Sequence, residues 1–238
     1  NEKKRPNKNE TIKTVTYITG DFCKNFYIKK IKKIKFNYII NAGGYVDHTE
    51  NKKKKKYIFS SHYLATKRLA NFFIDKKIDL FLQIGTGNEY GNARSPNSEN
   101  FLCKPISTYA KAKLKATQYL LKLNKDYKFP AVIFRIYQVY GPNQSTNRLI
   151  PGTIKACISD LDFNCTNGKQ IRDFLFINDL LLSVSKLIKY KNKAIGNIFN
   201  IGSSKPHSVK KVIKSIHSHL NSGSPKFGKI EIRKKEVL

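Results

Sequence analysis

The sequence alternates short apolar segments with longer segments of helical periodicity, and this alternation most constrains the fold. Buried strands are predicted at 37–44, 78–85 and 131–139, because each is a nearly continuous run of apolar residues. Long helices are predicted at 57–77 and 107–125, where apolar residues recur every three or four positions. Continuous apolar strands separated by helices are typical of a parallel sheet covered on both faces. We therefore predict a doubly wound α/β fold.

Weaker patterns flank these segments. A further strand is predicted at 14–21 and a further helix at 26–35. Beyond residue 140 we predict shorter helices and strands, including a helix that Ser208 caps. We interpret this region as a smaller C-terminal lobe that returns at least once to the main sheet.

The net charge of +30 comes from 46 Lys and Arg against 16 Asp and Glu. A charge of this size is compatible with a nucleic-acid partner. However, the excess is Lys, which lacks the planar fork of Arg, and it is spread along the chain. The one dense block, at 51–59, indicates an exposed loop or a helix start. We therefore favour solvated surface lysines over nucleic-acid binding.

Cysteine usage and hydropathy restrict the class of protein further. The four cysteines are scattered and form no Cys-x-x-Cys pair, so we predict neither a zinc site nor a disulfide framework. No apolar run reaches the roughly 18 residues that cross a bilayer, and the first residues do not resemble a secretory signal. These patterns predict a cytoplasmic protein without a membrane span or a bound metal.

The chain contains two Tyr-x-x-x-Lys segments, Tyr63–Lys67 and Tyr109–Lys113. Of the 46 basic residues seven are Arg, and the remaining 39 Lys with 13 Tyr give about two such matches by chance. Position distinguishes the two. The loop GTGNEYG follows a predicted strand and leads to the helix of Tyr109, whereas no such loop precedes Tyr63. Ligands of parallel sheets bind at strand carboxyl ends, so Tyr109 is the candidate and Tyr63 is predicted to be a helix-surface residue.

Tyr109 and Lys113 can share one helix face, because positions four apart are neighbours there. A phenol has a pKa near about 10 and is a weak base at neutral pH, but a nearby ammonium stabilises the phenolate. Thr86, in the preceding loop, can hydrogen-bond the same substrate oxygen. This trio suits proton transfer at an alcohol or ketone while a hydride moves. The alternative is that Tyr109 packs in the protein and Lys113 is solvated.

Seven segments occur in the order of a known family: YITGDF, IINAGGYVDH, IGTGNEYG, PISTYAKAK, FRIYQVYGPNQ, NRLIP and GKQIRDFLFINDL. Together they resemble the extended short-chain dehydrogenase/reductase family, in its NAD-dependent epimerase/dehydratase branch, which acts on nucleotide sugars. The resemblance covers nearly all of residues 14–220. It implies a Rossmann-like fold, NAD or NADP as cofactor and a nucleotide-sugar substrate. It also implies a homodimer that packs through the helices at 57–77 and 106–124.

The resemblance also implies roles for individual residues. Tyr109 is the acid/base, Lys113 contacts the nicotinamide ribose, and Thr86 is the third catalytic residue. The implied cofactor contacts are Asp21, Phe22, Ala42, Gly43, Gly44, Lys113 and Tyr137. The implied substrate contacts are Gln138, Asn147, Leu149 and Arg172, of which Arg172 binds the diphosphate. The implied domains are an incomplete dinucleotide-binding domain at 11–140 and a substrate-binding lobe at 141–238.

Three departures from the family pattern limit these implications. The Gly-rich phosphate loop does not precede Gly20, so we expect the first βαβ unit, about 50 residues, to be missing, and the C-terminal lobe to be incomplete. Gly87 and Asn88 stand where the dehydratases carry acidic residues, and Glu89 is one place off. Gln138 stands where many family members carry Asn, and Asn178 stands where Asp is common in the family.

These observations favour a nucleotide-sugar oxidoreductase that acts as a 4-ketoreductase or a 4-epimerase, with hydride exchange at a nicotinamide and Tyr109 as acid/base. The second hypothesis is a catalytically impaired nucleotide-binding fragment, which the missing Gly-rich loop supports. The third is a nucleic-acid-binding basic protein. The four His residues at 62, 207, 217 and 219 are interpreted as ordinary surface positions.

Overall fold

A computed structural model describes residues 14–18, 20–21, 31–45 and 51–232. Its main sheet has four strands in the order β1 (Tyr38–Asn41), β2 (Leu80–Ile84), β3 (Ala131–Ile136) and β7 (Ile198–Ile201). β1 and β2 run parallel, with Tyr38 opposite Leu80 and Asn41 opposite Gln83. The predicted α/β fold with a parallel sheet is confirmed.

The chain divides into two compact units. The first comprises residues 1–84, 108–133 and 192–197, and the second comprises 85–107, 134–191 and 198–238. The two predicted domains, 11–140 and 141–238, stay a prediction.

The first unit contains a long helical stretch after β1. Helix α1 (Lys52–Phe59) begins where the Asn51 side chain accepts the backbone N–H of Lys54 at 2.8 Å. It continues through a π-helical turn (Ser60–Leu64) into α2 (Ala65–Phe73). Helix α3 (Thr108–Tyr127) packs against these segments. The basic block at 51–59 is therefore a helix start, one of the two forms expected from its sequence.

The core of the first unit lies around β2 and the beginning of β3. Leu80, Phe81 and Leu82 are at most 1% exposed, and Val132 and Ile133 are fully buried. A strand buried on both faces needs apolar residues at every position, which explains the unbroken apolar runs. The small buried residues of α3, Ala110, Ala112 and Ala116, let that helix lie close to its neighbours.

The second unit holds shorter elements. It begins with a 3-10 helix (Gly87–Tyr90), and its small sheets pair β4 (Gln138–Tyr140) with β6 (Ile171–Phe176) in parallel, and β6 with β8 (Pro206–Ser208) in antiparallel. β5 (Asp162–Asn164) pairs with β9 (Ser224–Lys226). The helices are α4 (Leu149–Ile158), α5 (Ile177–Lys189), α6 (Lys191–Ala194, at the boundary between the units) and α7 (Val209–Leu220), and Ser208 caps the last as predicted.

One predicted element is wrong. The described residues within 14–21 form no strand, and Val15 and Tyr17 are 45% and 44% exposed. Apolar alternation favours a strand only where a neighbouring strand takes up its backbone hydrogen bonds and a core covers its side chains. The first half of the helix predicted at 26–35 lies outside the described residues, as does Phe22, and within 31–35 only Ile31 is helical. Among the described helices, none has the length and apolar character that crossing a membrane requires.

Candidate active site

The candidate pair Tyr109–Lys113 lies on the first two turns of α3. Lys113 is only 5% exposed, and its Nζ donates a hydrogen bond of 2.7 Å to the backbone carbonyl of Ile84, the last residue of β2. The same Nζ lies 5.9 Å from the centre of the Tyr109 ring. The prediction that the two side chains share one helix face is consistent with this geometry, and the alternative of a solvated Lys113 is wrong.

Tyr109 rests against His62, which comes from the π-helical turn. The two ring centres are 4.8 Å apart and the ring planes meet at 80°, an edge-to-face contact. His62 is 4% exposed, so its interpretation as a surface residue is wrong. A π-helical turn inserts one extra residue into a helix, and this changes which side chains face inward. Helical periodicity alone therefore misplaces His62.

His62 also contacts the loop that follows β1. Its Nε2 lies 3.0 Å from the carbonyl oxygen of Tyr45, and a Cβ placed on Gly44 would lie 2.1 Å from its Cε1. Gly44 has a φ of +152°, which side-chain-bearing residues rarely adopt. The loop therefore needs glycine at this position for both its backbone conformation and its packing.

The same loop offers an open backbone surface. Ala42, Gly43 and Gly44 are exposed. A Cβ on Gly43 would meet only Asn41 Oδ1, at 3.5 Å, among the described atoms. Small residues at the carboxyl end of a parallel strand fit the approach of a flat cofactor to the backbone. The loop thus fits the cofactor contact predicted for it.

A polar network holds the end of β1 to β2 and α2. The Asn41 amide donates to Gln83 Oε1 at 2.8 Å and to Thr66 Oγ1 at 3.0 Å. The Thr66 hydroxyl in turn donates to the carbonyl of His62 at 2.8 Å. These bonds fix the backbone at the end of β1, where the cofactor-facing loop at 42–44 begins, and at His62.

The second Tyr-x-x-x-Lys pair has different surroundings. Tyr63 is half-buried and packs against the rings of Phe59 and Tyr119. Lys67 is exposed, and its Nζ lies 5.4 Å from the centre of the Tyr119 ring. Tyr63–Lys67 therefore has an aromatic, partly solvated environment on its helix.

Thr86, in the second unit, caps the 3-10 helix and is 8% exposed. Its Oγ1 accepts the backbone N–H of Asn88 at 3.3 Å, and its own N–H donates to Glu89 at 3.1 Å. Glu89 is fully buried and accepts a bond of 3.0 Å from Arg135 Nε. The loop of Thr86 is therefore held by a buried ion pair.

Arg135 was not predicted from the sequence as part of this loop. Its guanidinium lies 4.5 Å from the centre of the Tyr90 ring and donates to the carbonyl of Glu99 at 3.4 Å. Burial lowers the pKa of Arg135, but Glu89 and Tyr90 raise it more, so the net pKa is raised and the group stays charged. The available signal was one Arg in an otherwise apolar strand, since a buried charge needs a partner.

Tyr137 lies over Gly87. A Cβ on Gly87 would be 2.9 Å from Tyr137 Cε1, so the ring takes the space of any side chain at that position. The Tyr137 hydroxyl donates to Asn97 Oδ1 at 3.2 Å. Burial, and then the charges of Tyr90, Asp173 and Glu99, raise the pKa of Tyr137 to about 12.

The four predicted substrate residues all lie in the second unit. Gln138 and Asn147 are exposed, Leu149 begins α4, and Arg172 in β6 donates to the carbonyl of Ile171 at 2.7 Å. A cavity of about 530 Å³ lies nearby in the chain, between the loop that starts at Tyr140, helix α4 and Phe176. Its described lining includes none of the four. Asp21 is half-buried and lies outside any helix or strand.

Comparisons with known proteins identify the family of the chain. The sequence profile of the NAD dependent epimerase/dehydratase family matches residues 1–202. The chain belongs to this family. The predicted family is thus confirmed. Within the described ranges, no group of three or more His, Cys, Asp and Glu side chains is placed to hold a metal ion.

Individual family members are similar over part of their length. A dTDP-D-glucose 4,6-dehydratase of Dictyostelium discoideum is 27% identical over 187 residues, 72% of this chain and 42% of the relative. A UDP-glucose epimerase of Bacillus subtilis, itself described as uncharacterized, is 29% identical over 160 residues, 66% of this chain and 50% of the relative. The chain thus spans about half the length of these curated relatives.

A solved structure shares the fold. The UDP-glucuronic acid 4-epimerase of Bacillus cereus, in complex with UDP-glucuronic acid and NAD, superposes with a TM-score of 0.79 at 25% identity. The superposition covers 87% of this chain and 67% of the epimerase. These family members carry the names of both dehydratases and epimerases, so the reaction of this chain has to be argued from its own residues.

Proposed function

We propose that the protein is a nucleotide-sugar oxidoreductase that uses NAD or NADP and acts at the sugar C4, as a 4-ketoreductase or a 4-epimerase. The observation that carries this proposal is the buried Lys113 ammonium beside Tyr109, at the end of β2. A buried cation next to a phenol is an arrangement for proton transfer, and the carboxyl ends of parallel strands are where cofactors bind.

The exposed loop after β1 supports the proposed cofactor contacts. Ala42, Gly43 and Gly44 offer backbone without large side chains, and the Nζ of Lys113 bonds to the carbonyl of Ile84 at the end of the neighbouring strand β2. We assign the nicotinamide side of the cofactor to these residues and to Tyr137, and the adenine side to Asp21 and Phe22. A bound nicotinamide supplies or accepts the hydride.

The proton is handled by the residues of this chain. Tyr109 donates a proton to the sugar oxygen during reduction and accepts it during oxidation. The Lys113 ammonium stabilises the phenolate electrostatically, and this effect is strong because Lys113 is withdrawn from water. Thr86 uses its hydroxyl hydrogen to hold the same sugar oxygen, while its oxygen accepts the N–H of Asn88.

This chain lacks the acidic residues that the dehydratases use to eliminate water from the sugar. Gly87 and Asn88 cannot titrate, and the Tyr137 ring occupies the space that a side chain at 87 needs. Glu89 is fully buried and bound to Arg135. A carboxylate committed to a buried ion pair is unavailable to move a proton on a sugar.

The substrate contacts are proposed for the second unit. Arg172 can bind a diphosphate with its planar fork, and Gln138, Asn147 and Leu149 are proposed to contact the rest of the nucleotide sugar, as the resemblance implies. A homodimer through α1, α2 and α3 is also proposed, in keeping with the resemblance.

The test is a product analysis with the full chain. One set of reactions contains NADH or NADPH with nucleoside-diphospho 4-keto-6-deoxyhexoses, and a second contains NAD with nucleoside-diphospho hexoses. We expect reduction at C4 in the first set or inversion at C4 in the second, observed by NMR. A 4-keto-6-deoxy product in the second set would mean loss of water and would contradict the proposal. Tight nucleotide-sugar binding without any turnover would support the alternative of an impaired binding fragment.

A further inference from the structure

His62 lies between the two parts of the proposed site that the first unit contains. Its ring meets Tyr109 edge-to-face at 4.8 Å, and its Nε2 meets the carbonyl oxygen of Tyr45 at 3.0 Å. Gly44, in the cofactor-facing loop, lies directly against its Cε1. One buried side chain therefore contacts both the proposed acid/base and the proposed cofactor loop.

The orientation of the imidazole follows from these contacts. A carbonyl oxygen only accepts hydrogen bonds, so Nε2 carries the proton that is donated to Tyr45. The backbone of His62 is fixed as well, because Thr66 binds its carbonyl and Asn41 binds Thr66. The imidazole ring therefore has little freedom to rotate, and the Tyr109 ring packs against it in a fixed position.

The loop has a second attachment to the same helical stretch. The Tyr45 ring packs edge-to-face on Tyr57 of α1, with 4.9 Å between ring centres. The hydrogen bond from His62 thus holds the backbone of Tyr45 while Tyr57 holds its ring. The backbone bond acts directly on the residue that follows Gly44.

We propose that His62 is a positioning residue that fixes the cofactor-facing loop through Nε2 and the ring of Tyr109 through its own ring. This proposal rests on the proposed function. It assigns two separable tasks to one residue, and each task can be removed while the other stays.

Two substitutions separate the tasks. His62→Gln keeps an amide N–H that can reach the Tyr45 carbonyl but removes the ring beside Tyr109. His62→Phe keeps a ring beside Tyr109 but removes the donor. The matched control is His217→Gln, because His217 Nε2, on α7 of the second unit, also meets a backbone carbonyl, that of Gly223, at 2.9 Å.

The experiment measures NAD affinity by calorimetry and the Tyr109 ring signals by NMR, on the full chain. The Tyr109 signals are identified by their loss in Tyr109→Phe. We expect His62→Phe to weaken NAD binding about fivefold, the effect of one net hydrogen bond, with the Tyr109 signals little changed. His62→Gln should keep the NAD affinity within about twofold, shift the Tyr109 signals and lower kcat about tenfold. His217→Gln should change none of these.

An independent variant leaves His62 in place. Gly44→Ala adds a Cβ 2.1 Å from His62 Cε1 and should displace the ring, so we expect the same shift of the Tyr109 signals as in His62→Gln. Gly43→Ala meets only an ordinary contact at 3.5 Å and should leave these signals unchanged in the absence of NAD. This pair tests the proposal even if one His62 variant fails to fold.

The proposal is overturned if both His62 variants change NAD affinity and the Tyr109 signals equally, or change neither. A wild-type chain that binds neither NAD nor NADP also overturns the loop-fixing task, and a chain that binds only NADP is tested with NADP in the same way. Turnover in Tyr109→Phe tests the proposed function and not the positioning role of His62. Full turnover in Tyr109→Phe contradicts the proposed function, and it leaves the NAD affinities and the NMR shifts of the His62 variants as a separate result.

Discussion

The two Tyr-x-x-x-Lys pairs have identical spacing and lie on helices of one compact unit, yet they differ in burial. Lys113 is 5% exposed and bonds to the end of β2, and Tyr109 rests on the buried His62. Lys67 is exposed and stacks near Tyr119, in the aromatic cluster that also contains Tyr63. Spacing therefore brings a phenol and an ammonium to one helix, and the surroundings decide whether they can act together.

The physical difference is the dielectric environment. An exposed ammonium is hydrated and screened by salt, so it has little effect on a neighbouring phenol. A buried ammonium that is fixed by a carbonyl keeps its position and its field. The comparison predicts that substitutions at 109 and 113 change the chemistry, whereas the same substitutions at 63 and 67 do not.

The largest effect is expected at the tyrosines. Tyr109→Phe removes the proton donor and should lower kcat about a thousandfold, within the range of general acid/base catalysis. Tyr63→Phe should keep kcat within about twofold, because this hydroxyl takes no part in the reaction. Both values of kcat are measured at saturating substrate as the rate of product formation, which is reduction or inversion at C4 followed by NMR. Equal losses of kcat in the two variants would show that the different surroundings of Tyr109 and Tyr63 do not determine catalysis.

The lysines should show the next largest effect. Lys113→Met should lower kcat about tenfold to a hundredfold and move its pH dependence to more alkaline values, because the phenolate loses its neighbouring cation. Lys67→Met should change neither, and this variant is the control for removing one positive charge. The measurement is kcat against pH for both variants. An unchanged profile in Lys113→Met would contradict the electrostatic role.

The same contrast between buried and exposed groups extends to ion pairs in the second unit. Arg135→Met leaves the Glu89 carboxylate buried without its cation and should lower the free energy of unfolding by about 3–5 kcal/mol. Lys226→Met breaks the ion pair between Lys226, whose side chain is 46% exposed, and Asp162, whose side chain is 71% exposed. This loss should lower the free energy of unfolding by less than about 1 kcal/mol. Urea unfolding measures both. Similar losses would show that burial does not set the strength of these pairs.

The smallest effect is expected at Tyr137. Its pKa is raised from 10.0 to about 12, so the folded state holds this proton more tightly than the unfolded chain. The resulting stability is complete below pH 10.0 and is lost as the pH rises to about 12. Tyr137→Phe should therefore lose less stability over this interval than the wild type. Denaturant unfolding at several pH values measures the slope, and equal slopes would contradict the raised pKa.

The sequence was sufficient to predict the main sheet and its long helices. β2, β3 and α3 were predictable because their apolar patterns reflect burial on both faces or one face. The strand at 14–21 was wrongly predicted because its apolar residues alternate without a covering core, and Val15 and Tyr17 are exposed. Local pattern gives the propensity of a segment, while tertiary neighbours decide its structure.

Sequence could predict only those site residues whose positions follow from regular helix spacing or from a loop at a strand end. Tyr109 and Lys113 could be placed from helix geometry and the order of loops. His62 could not, because a π-helical turn shifts the helix face by one residue. Arg135 and Glu89 were missed because their pairing joins a strand to a loop 46 residues away, which no local pattern shows.

The most direct test of the central claim follows the hydride and the proton donor together. The full chain is incubated with NADH or NADPH deuterated at nicotinamide C4 and a nucleoside-diphospho 4-keto-6-deoxyhexose, and the product is examined by NMR. We predict that deuterium appears at the sugar C4 at equal rates with the wild type and with Tyr63→Phe, and about a thousandfold more slowly with Tyr109→Phe. Deuterium at C4 with Tyr109→Phe at the wild-type rate would contradict the assignment of Tyr109–Lys113 as the catalytic pair.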